Sequence, residues 1–349
     1  MHRYLMLGCF LGCLLLSACQ ASHLSGMTTP TLLYINENML IEQSGDGPLK
    51  EIKVLPDAGR VLTAIHAEQM VLVLREQGIQ RLNLDDGMVD MVFQFDVSAR
   101  YGELLLASDN SRIFFSVVVS DASADFGDAT LIGYYDLVQK SVKTISYFPQ
   151  TLRLLGFTRV RSGLYLLPVG QDPEFGKVFV YDLGTNEIIE ELPVRGTNYA
   201  SLAPGARLLA VASYPEMDEK TIQSLKLYDL SSLPQAHPRE FMLPATGSQT
   251  YGFLWSSDAR ELYFLLFPPD YAYQPGITNG LWRLNVETGR MSQIANINDL
   301  AYHLVSIDPQ NEWVLFMHES ESDAILISLL DGKSQSIPLP VLATFVGWQ

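Results

Sequence analysis

One short unit recurs along most of this chain of 349 residues. "NGLWRLNVETGRMSQIANI" at 279–297 has a polar turn between two segments in which large apolar side chains alternate with polar ones. "KVFVYDLGTNEIIEEL" at 177–192 and "GIQRLNLDDGMVDMVFQF" at 78–95 have the same form. Alternation of this kind around a Gly- or Asn-bearing turn predicts a hairpin of two antiparallel strands. The chain must therefore fold in a way that uses the same hairpin many times.

The hairpins are evenly spaced. An Asp ends the first hairpin strand at Asp136, Asp182 and Asp229, with intervals of 46 and 47 residues. Before each hairpin the chain adds two more apolar segments around another polar turn, which makes four strands per unit. This period with four strands per unit is typical of a β-propeller, in which each unit forms one blade of a ring. The sequence therefore predicts an all-β propeller.

The predicted propeller domain covers residues 31–349. Its six whole units are 58–97, 98–149, 150–196, 197–246, 247–299 and 300–340. Residues 31–55 supply three further strands, and 341–349 supply one, "TFVGW", which matches the first strand "YGFLW" of a whole unit. We predict that the two ends jointly close the last of seven four-stranded blades, which would leave no open sheet edge. Six and eight blades are the alternatives.

The first turns of the units resemble a known family. "ASDNSRIFFSVVV" at 107–119, "LAPGARLLAVAS" at 202–213 and "WSSDARELYFLL" at 255–266 are similar to the WD40-like repeats of TolB-type proteins. The first turn of those repeats reads Ser-Pro-Asp-Gly before an apolar strand, and this chain never has it intact. The units also resemble the propellers of the YVTN and prolyl-oligopeptidase groups. The resemblance implies the fold and leaves the function open, because unrelated activities use this scaffold.

The N-terminal segment differs from the rest. Arg3 precedes an apolar run that is short for a membrane span and typical of a secretory signal peptide, here 1–18. Leu16-Ser17-Ala18-Cys19 resembles the bacterial lipobox, which implies a lipid on Cys19 and a tether over 19–30. With Gln20 next, the resemblance implies an exported protein lipid-anchored to the cell membrane, the outer membrane in a diderm cell. The alternatives are a plain secretory peptide and a buried hydrophobic helix.

Cysteine use and charge narrow the classes of partner. All three cysteines lie within the first 19 residues, so the remainder offers no thiol for a disulfide, a zinc site or a nucleophile. The chain has 39 acidic and 23 Lys and Arg residues, a net charge of -16. This balance argues against nucleic-acid binding, which needs basic patches. We expect a monomeric domain that contacts the membrane through its N-terminal lipid only.

Candidate binding residues lie in five irregular loops between the second and third strands of their units. In a propeller these loops share one face, and variation confined to one face is typical of a binding surface on a rigid scaffold. The loops are acidic and aromatic. The candidate ligand-binding residues are Asp121, Asp125, Asp128, Asp172, Glu174, Tyr214, Asp218, Asp270, Tyr271, Tyr273, Glu319 and Glu321.

Enzyme motifs are missing from the sequence. It contains no G-x-S-x-G elbow and no H-E-x-x-H motif, and no pattern in it indicates a cofactor. A calcium site at Asp121, Asp125 and Asp128 is an alternative, since Ca²⁺ takes carboxylate oxygens, but the spacing does not match an EF-hand. His66 and His303 are interpreted as structural.

Two functions follow. The favoured one is a non-catalytic, lipid-anchored envelope propeller that binds a protein, peptide or glycan on its loops. The alternative is a metal-assisted hydrolase or lyase with its site in the central channel, as in lactonase-like propellers.

Overall fold

A computed structural model shows how the repeat folds. It describes residues 29–44, 47–107, 109–120, 128–158, 163–168, 177–193, 197–213, 224–232, 237–244, 249–267, 278–299, 301–318, 323–340 and 343–349. In these ranges, 28 strands form seven four-stranded antiparallel sheets. The predicted all-β propeller with seven blades is confirmed.

Six blades are built from consecutive strands, numbered here in chain order with the innermost strand first. Blade 1 contains β4 (Val61–Ala67), β5 (Met70–Arg75), β6 (Gly78–Asn83) and β7 (Val89–Gln94). Blade 2 contains β8 (Ala99–Leu106), β9 (Arg112–Ser120), β10 (Asp128–Asp136) and β11 (Ser141–Phe148). Blade 3 contains β12 (Leu152–Phe157), β13 (Gly163–Pro168), β14 (Lys177–Asp182) and β15 (Glu187–Pro193).

The next three blades repeat this order. Blade 4 contains β16 (Thr197–Leu202), β17 (Leu208–Ser213), β18 (Ser224–Asp229) and β19 (Arg239–Met242), with a 3-10 turn at Leu230–Ser232. Blade 5 contains β20 (Gln249–Trp255), β21 (Glu261–Phe267), β22 (Gly280–Asn285) and β23 (Met291–Asn296). Blade 6 contains β24 (Tyr302–Ile307), β25 (Trp313–His318), β26 (Asp323–Ser328) and β27 (Ser334–Pro338).

Blade 7 joins the two ends of the chain. Its strands, from the inside outward, are β28 (Thr344–Trp348), β1 (Thr31–Asn36), β2 (Met39–Ser44) and β3 (Lys50–Val54). β28 pairs antiparallel with β1, and the Gln349 amide donates to the Thr31 carbonyl at 2.9 Å. The predicted joint closure is confirmed, and it pairs an edge of β1 that would otherwise be open.

The hydrophobic core is a ring of clusters between blades. Each of seven clusters of buried residues draws its members from two adjacent blades. Inner strands also contact each other directly: Trp255 Nε1 donates to the Ser201 carbonyl at 3.2 Å, and Trp348 Nε1 donates to Ser306 Oγ at 2.9 Å. Trp255 and Trp348 are the last residues of "YGFLW" and "TFVGW", so they occupy equivalent positions in their blades. Each blade is therefore stabilised mainly by its neighbours.

The turn after the third strand has one recurring chemistry. Asp182 Oδ1 accepts hydrogen bonds from the Gly184 and Thr185 amides at 2.7 and 3.0 Å. The equivalent side chains Asn83, Asp136, Asp229 and Asn285 accept from backbone amides two or three residues later. An Asp or Asn that bonds its own turn in this way holds a tight reversal. The regular spacing of Asp and Asn in the sequence reflects this local requirement.

The turn after the innermost strand keeps its shape without the expected glycine. The fourth position of the Ser-Pro-Asp-Gly pattern is occupied by Asn110, Ala206, Ala259 and Asn311, whose φ angles are 53°, 53°, 59° and 58°. The left-handed region suits Gly and Asn, while Ala there carries strain of about 1 kcal/mol. The conformation is thus conserved between blades even where the sequence departs from the pattern.

Candidate functional site

The two faces of the ring differ in how the strands are connected. We call the face where second strands pass to third strands the loop face, and the opposite one the tight-turn face. On the loop face, blades 7 and 1 use two residues, Glu37–Asn38 and Glu76–Gln77. Blades 2 to 6 leave longer gaps between these strands, at 121–127, 169–176, 214–223, 268–279 and 319–322. The longer connections therefore belong to five consecutive blades.

The chain enters and leaves the ring on the tight-turn face. β1 is the second strand of its blade and runs toward the two-residue connection Glu37–Asn38 on the loop face. Its first residue, Thr31, consequently lies at the opposite end, bonded to Gln349. Residues that precede Thr31 join the ring on the face away from the long connections.

Asp128 is the one candidate ligand-binding residue within the described ranges. It begins β10, and its Oδ1 accepts a hydrogen bond from Arg100 Nη1 at 3.0 Å. The Arg100 carbonyl in turn accepts from Arg60 Nη2 at 3.2 Å, and Arg60 pairs with Glu76. Asp128 therefore takes part in a chain of polar contacts that joins blades 1 and 2 at the loop face. One oxygen of its carboxylate is already occupied by a cation.

The other candidate residues lie outside the described residues, as does Cys19. They are Asp121, Asp125, Asp172, Glu174, Tyr214, Asp218, Asp270, Tyr271, Tyr273, Glu319 and Glu321. The ends of the strands that flank the eleven loop residues are described, and these strand ends lie on the loop face.

A polar cluster missed at the sequence level lies beside the connection 319–322 in blade 6. Tyr302 Oη donates to Asp323 Oδ2 at 2.5 Å, and its ring meets the His318 imidazole edge to face, with centroids 4.9 Å apart. His318 Nε2 is 3.2 Å from Asp299 Oδ2. Tyr302 begins β24, His318 ends β25, Asp323 begins β26, and Asp299 precedes β24. The fold brings together residues that are separated in the sequence.

The cluster fixes the strand ends rather than presenting a reactive group. The His318 side chain is 4% exposed, while its partner Asp299 is 53% exposed. The Ala301 amide and His318 hold the pKa of Asp299 below its usual value. Because the imidazole is buried against Tyr302, the cluster ties the end of β25 to the starts of β24 and β26. The isolated positions of Tyr302 and Asp299 in the sequence gave no signal of this.

A second polar group lies on the inner strands. Glu103 of β8 accepts hydrogen bonds from Tyr101 Oη at 2.9 Å, Arg153 Nε at 2.7 Å and the Leu154 amide at 2.8 Å. Partial burial of Tyr101, which is 47% exposed, raises its pKa to about 12, and the Glu103 carboxylate acts in the same direction. Glu103 is the one Asp or Glu in the sequences of the seven innermost strands. Both of its carboxylate oxygens accept hydrogen bonds from these neighbours.

Within the described ranges, no group of three or more His, Cys, Asp or Glu side chains is arranged to hold a metal ion. Nor does any helix in those ranges have the length and apolar character needed to cross a bilayer.

The chain resembles solved propellers at low identity. No protein-family model and no curated protein matches it. An oligogalacturonate lyase in complex with manganese matches with a TM-score of 0.59 and 13% identity, over 86% of this chain and 83% of that one. TolB from Acinetobacter baumannii matches with a TM-score of 0.51 and 13% identity, over 83% and 67%. A prolyl endopeptidase matches with a TM-score of 0.57 and 12% identity, over 91% and 50%.

These likenesses show the fold alone. The structural resemblance to TolB and to prolyl endopeptidase propellers agrees with the resemblance stated from the first turns. The matched proteins include a lyase and a peptidase as well as TolB. One scaffold thus accompanies several activities, and the function has to be argued from this chain's own surface.

Proposed function

We propose that this chain is a non-catalytic propeller of the cell envelope, anchored through a lipid on Cys19, which binds a protein, peptide or glycan on its loop face. The observation that supports it best is the asymmetry of the ring. On the loop face, blades 2 to 5 use connections of seven to twelve residues. The opposite face keeps connections of two to five residues, several of them held by Asp and Asn side chains, except 230–238 in blade 4. Irregular loops on a rigid scaffold are where binding residues concentrate.

The position of the chain ends is consistent with this orientation. The proposed tether, 19–30, meets the ring at Thr31 on the tight-turn face. Twelve residues span at most roughly 40 Å when extended. An anchored domain would therefore keep its tight-turn face toward the membrane and direct the loop face toward partners.

The composition of the loops indicates the chemistry of the partner. The proposed contacts are the acidic and aromatic candidates, in a chain whose net charge is -16. Tyr271 and Tyr273 offer large contact area with a polar tip and few rotatable bonds. We infer a partner that presents basic or hydroxyl-rich groups, since complementary charge speeds encounter and excludes acidic competitors.

The alternative of a metal-assisted hydrolase or lyase in the channel stays a prediction. A hard cation needs several oxygen ligands. On the inner strands, Glu103 is the sole Asp or Glu, and it accepts bonds from Tyr101, Arg153 and the Leu154 amide. The inner strands thus supply a single carboxylate, and this alternative would take its metal ligands from the carboxylates of the loops.

Shortening the longest connection tests the binding face. Replacing 268–277 with Gly-Asn should leave the fold intact, because β21 and β22 keep their pairing from Leu266↔Gly280 to Glu261↔Asn285. We expect capture of the partner from envelope extract to fall roughly tenfold, the effect of losing a central contact. Capture is measured by quantitative mass spectrometry against wild type, with the melting temperature as the check on folding.

The matched control for the charge of Asp270 is Glu287→Ala, which removes one carboxylate from the tight-turn face of the same blade. It should capture the partner as wild type does. Equal losses from both variants, or none from the shortened connection, would place the binding surface elsewhere.

The anchor has its own test. Cys19→Ser should release the protein from the membrane fraction or leave it unprocessed, because the serine hydroxyl cannot receive the lipid. The measurement is fractionation of cells with immunoblotting, alongside Cys13→Ser as the control that keeps Cys19. A Cys19→Ser protein that is processed and fractionates with membranes like wild type would overturn the lipid anchor.

A further inference from the structure

A cavity between blades 2 and 3 has a character unlike that of the acidic loops. Its volume is about 230 Å³. The residues that line it are Arg112, Tyr134, Lys143, Thr144, Ile145, Leu183 and Asn186. Arg112 begins β9, Lys143 lies near the start of β11, and Leu183 and Asn186 belong to the turn after β14. All of these elements meet at the tight-turn face, so the cavity is on the side of the ring where the N-terminal tether joins.

Sheet register places two cations over one aromatic ring. Tyr134 is directly opposite Lys143 on β11 and Phe114 on β9, and Arg112 lies two residues before Phe114. Since side chains alternate along a strand, all four share one face of the blade. Arg112 Cζ is 4.8 Å from the centroid of the Tyr134 ring, and Lys143 Nζ is 6.0 Å from it. The ring attracts both cations, and both side chains line the cavity.

Neither cation forms an ion pair in the part of the chain that is described. The ion pairs found there involve His318 and other Lys and Arg residues. Asp109 interacts with Arg112 electrostatically, but its Oδ1 accepts from the Ser111 amide and hydroxyl at 3.0 and 2.7 Å. Asp136 lies directly opposite Arg112 in the register of β10 and β9; it is buried, and its Oδ1 accepts from the Val138 and Gln139 amides. Asp109 and Asp136 thus each use Oδ1 to hold their own turn.

We propose that this cavity binds a phosphate group, with Arg112 and Lys143 as its two cationic contacts. A guanidinium presents a fork of donors that suits phosphate oxygens, and the ammonium adds a point charge. A phosphate monoester carries about -1.5 to -2 charges at pH 7, which matches two cations. Asn186 adds a polar side chain, while Ile145 and Leu183 provide apolar wall for the atoms that carry the phosphate.

The phosphate can come from a soluble ester or from a lipid headgroup. The cavity and Thr31 share the tight-turn face, so a lipid anchor would hold the cavity toward the bilayer. Only the lipid source rests on the proposed anchoring. The phosphate site itself stands independently of the anchor and of the loop-face function.

The test is calorimetric titration of the purified full chain in a zwitterionic detergent. One arm titrates inorganic phosphate and glycerol 3-phosphate, and the other titrates phosphatidic acid in mixed micelles. The variants are Arg112→Gln and Lys143→Gln, with Lys140→Gln as the matched control that removes one Lys from the adjacent turn. We expect wild type and Lys140→Gln to bind alike. Each cavity variant should bind roughly tenfold more weakly, as expected for a lost hydrogen bond to a charged group.

The outcomes distinguish the two sources of phosphate and also test whether the site exists. Binding of glycerol 3-phosphate as tight as that of phosphatidic acid supports a soluble ester, and tighter binding of phosphatidic acid supports a lipid. Absence of binding in both arms overturns the site, as does binding that Arg112→Gln and Lys143→Gln leave unchanged. Lys143 is exposed, so Lys143→Gln keeps the test valid even if Arg112→Gln alters folding. Partner capture by the variant with the shortened loop is measured separately, so none of these outcomes decides the proposed loop-face function.

Discussion

A chain that ends at residue 341 should lose most of its stability. The deletion removes β28, and with it the Phe345 and Trp348 rings that pack 5.4 Å apart against blade 6. Burial of each aromatic side chain contributes up to about 1.5–3 kcal/mol, against a total stability of about 5–15 kcal/mol. It also exposes the edge of β1, whose residues from Leu32 to Ile35 are at most 1% exposed in the closed ring. We expect the melting temperature to fall by roughly 10 °C or more.

Two further variants keep this test interpretable. Deleting Gln349 alone removes a single backbone hydrogen bond to Thr31 and should change the melting temperature little. Trp348→Phe keeps an aromatic ring and loses the 2.9 Å bond to Ser306, so its cost should be about 1 kcal/mol. A truncated protein that melts like wild type would mean that β28 does not close the ring.

Replacing Arg75 with Ala should cause the second large loss. Arg75 is 1% exposed, and its guanidinium donates to Gln80 Oε1 at 2.7 Å and, at 2.8 Å each, to Asn38 Oδ1 and the Gly59 carbonyl. These bonds tie blade 1 to blade 7 and to the linker between them. Burial lowers the pKa of Arg75, and Asp57 opposes that shift. Removing the side chain leaves buried acceptors unpaired, at a cost of about 3 kcal/mol by urea unfolding.

The double variant Arg75→Met/Gln80→Leu distinguishes the reason for the loss. It fills the space of both side chains with apolar groups, whereas Arg75→Ala leaves a cavity, and the Asn38 and Gly59 acceptors lose their donor in both variants. We expect it to be more stable than Arg75→Ala. If Arg75→Ala unfolds at the same urea concentration as wild type, the guanidinium does not link the blades.

The blade boundaries were predictable because each turn carries its own chemistry. The predicted units 58–97 and 300–340 contain the strands of blades 1 and 6, which span 61–94 and 302–338. The Asp or Asn that bonds its own turn recurs at a fixed place, so its spacing reports the blade. Departure from Ser-Pro-Asp-Gly did not mislead, since Ala206 and Ala259 adopt the positive φ that glycine favours.

The sites were less predictable because they form between strands and blades. Arg112, Tyr134 and Lys143 come from three strands and meet through register, and neither cation stands out in the sequence. Tyr302 and Asp323 are 21 residues apart and meet at the ends of two strands. Asp128 was predicted as a ligand-binding residue, and one of its oxygens bonds Arg100 of β8, two strands away in the same blade, a contact that no spacing rule indicates.

Photo-crosslinking in cells tests the binding face most directly. Benzoylphenylalanine replaces Tyr271 and Tyr273 of the proposed surface in one set of variants, and Val138 and Leu330 of the tight-turn face in the other. Val138 and Leu330 are 82% and 76% exposed, so their substitution should not disturb the fold. We predict crosslinks to one recurrent envelope partner from positions 271 and 273 and none to that partner from 138 and 330. Crosslinks to it from 138 and 330 alone would contradict the assignment of binding to the loop face.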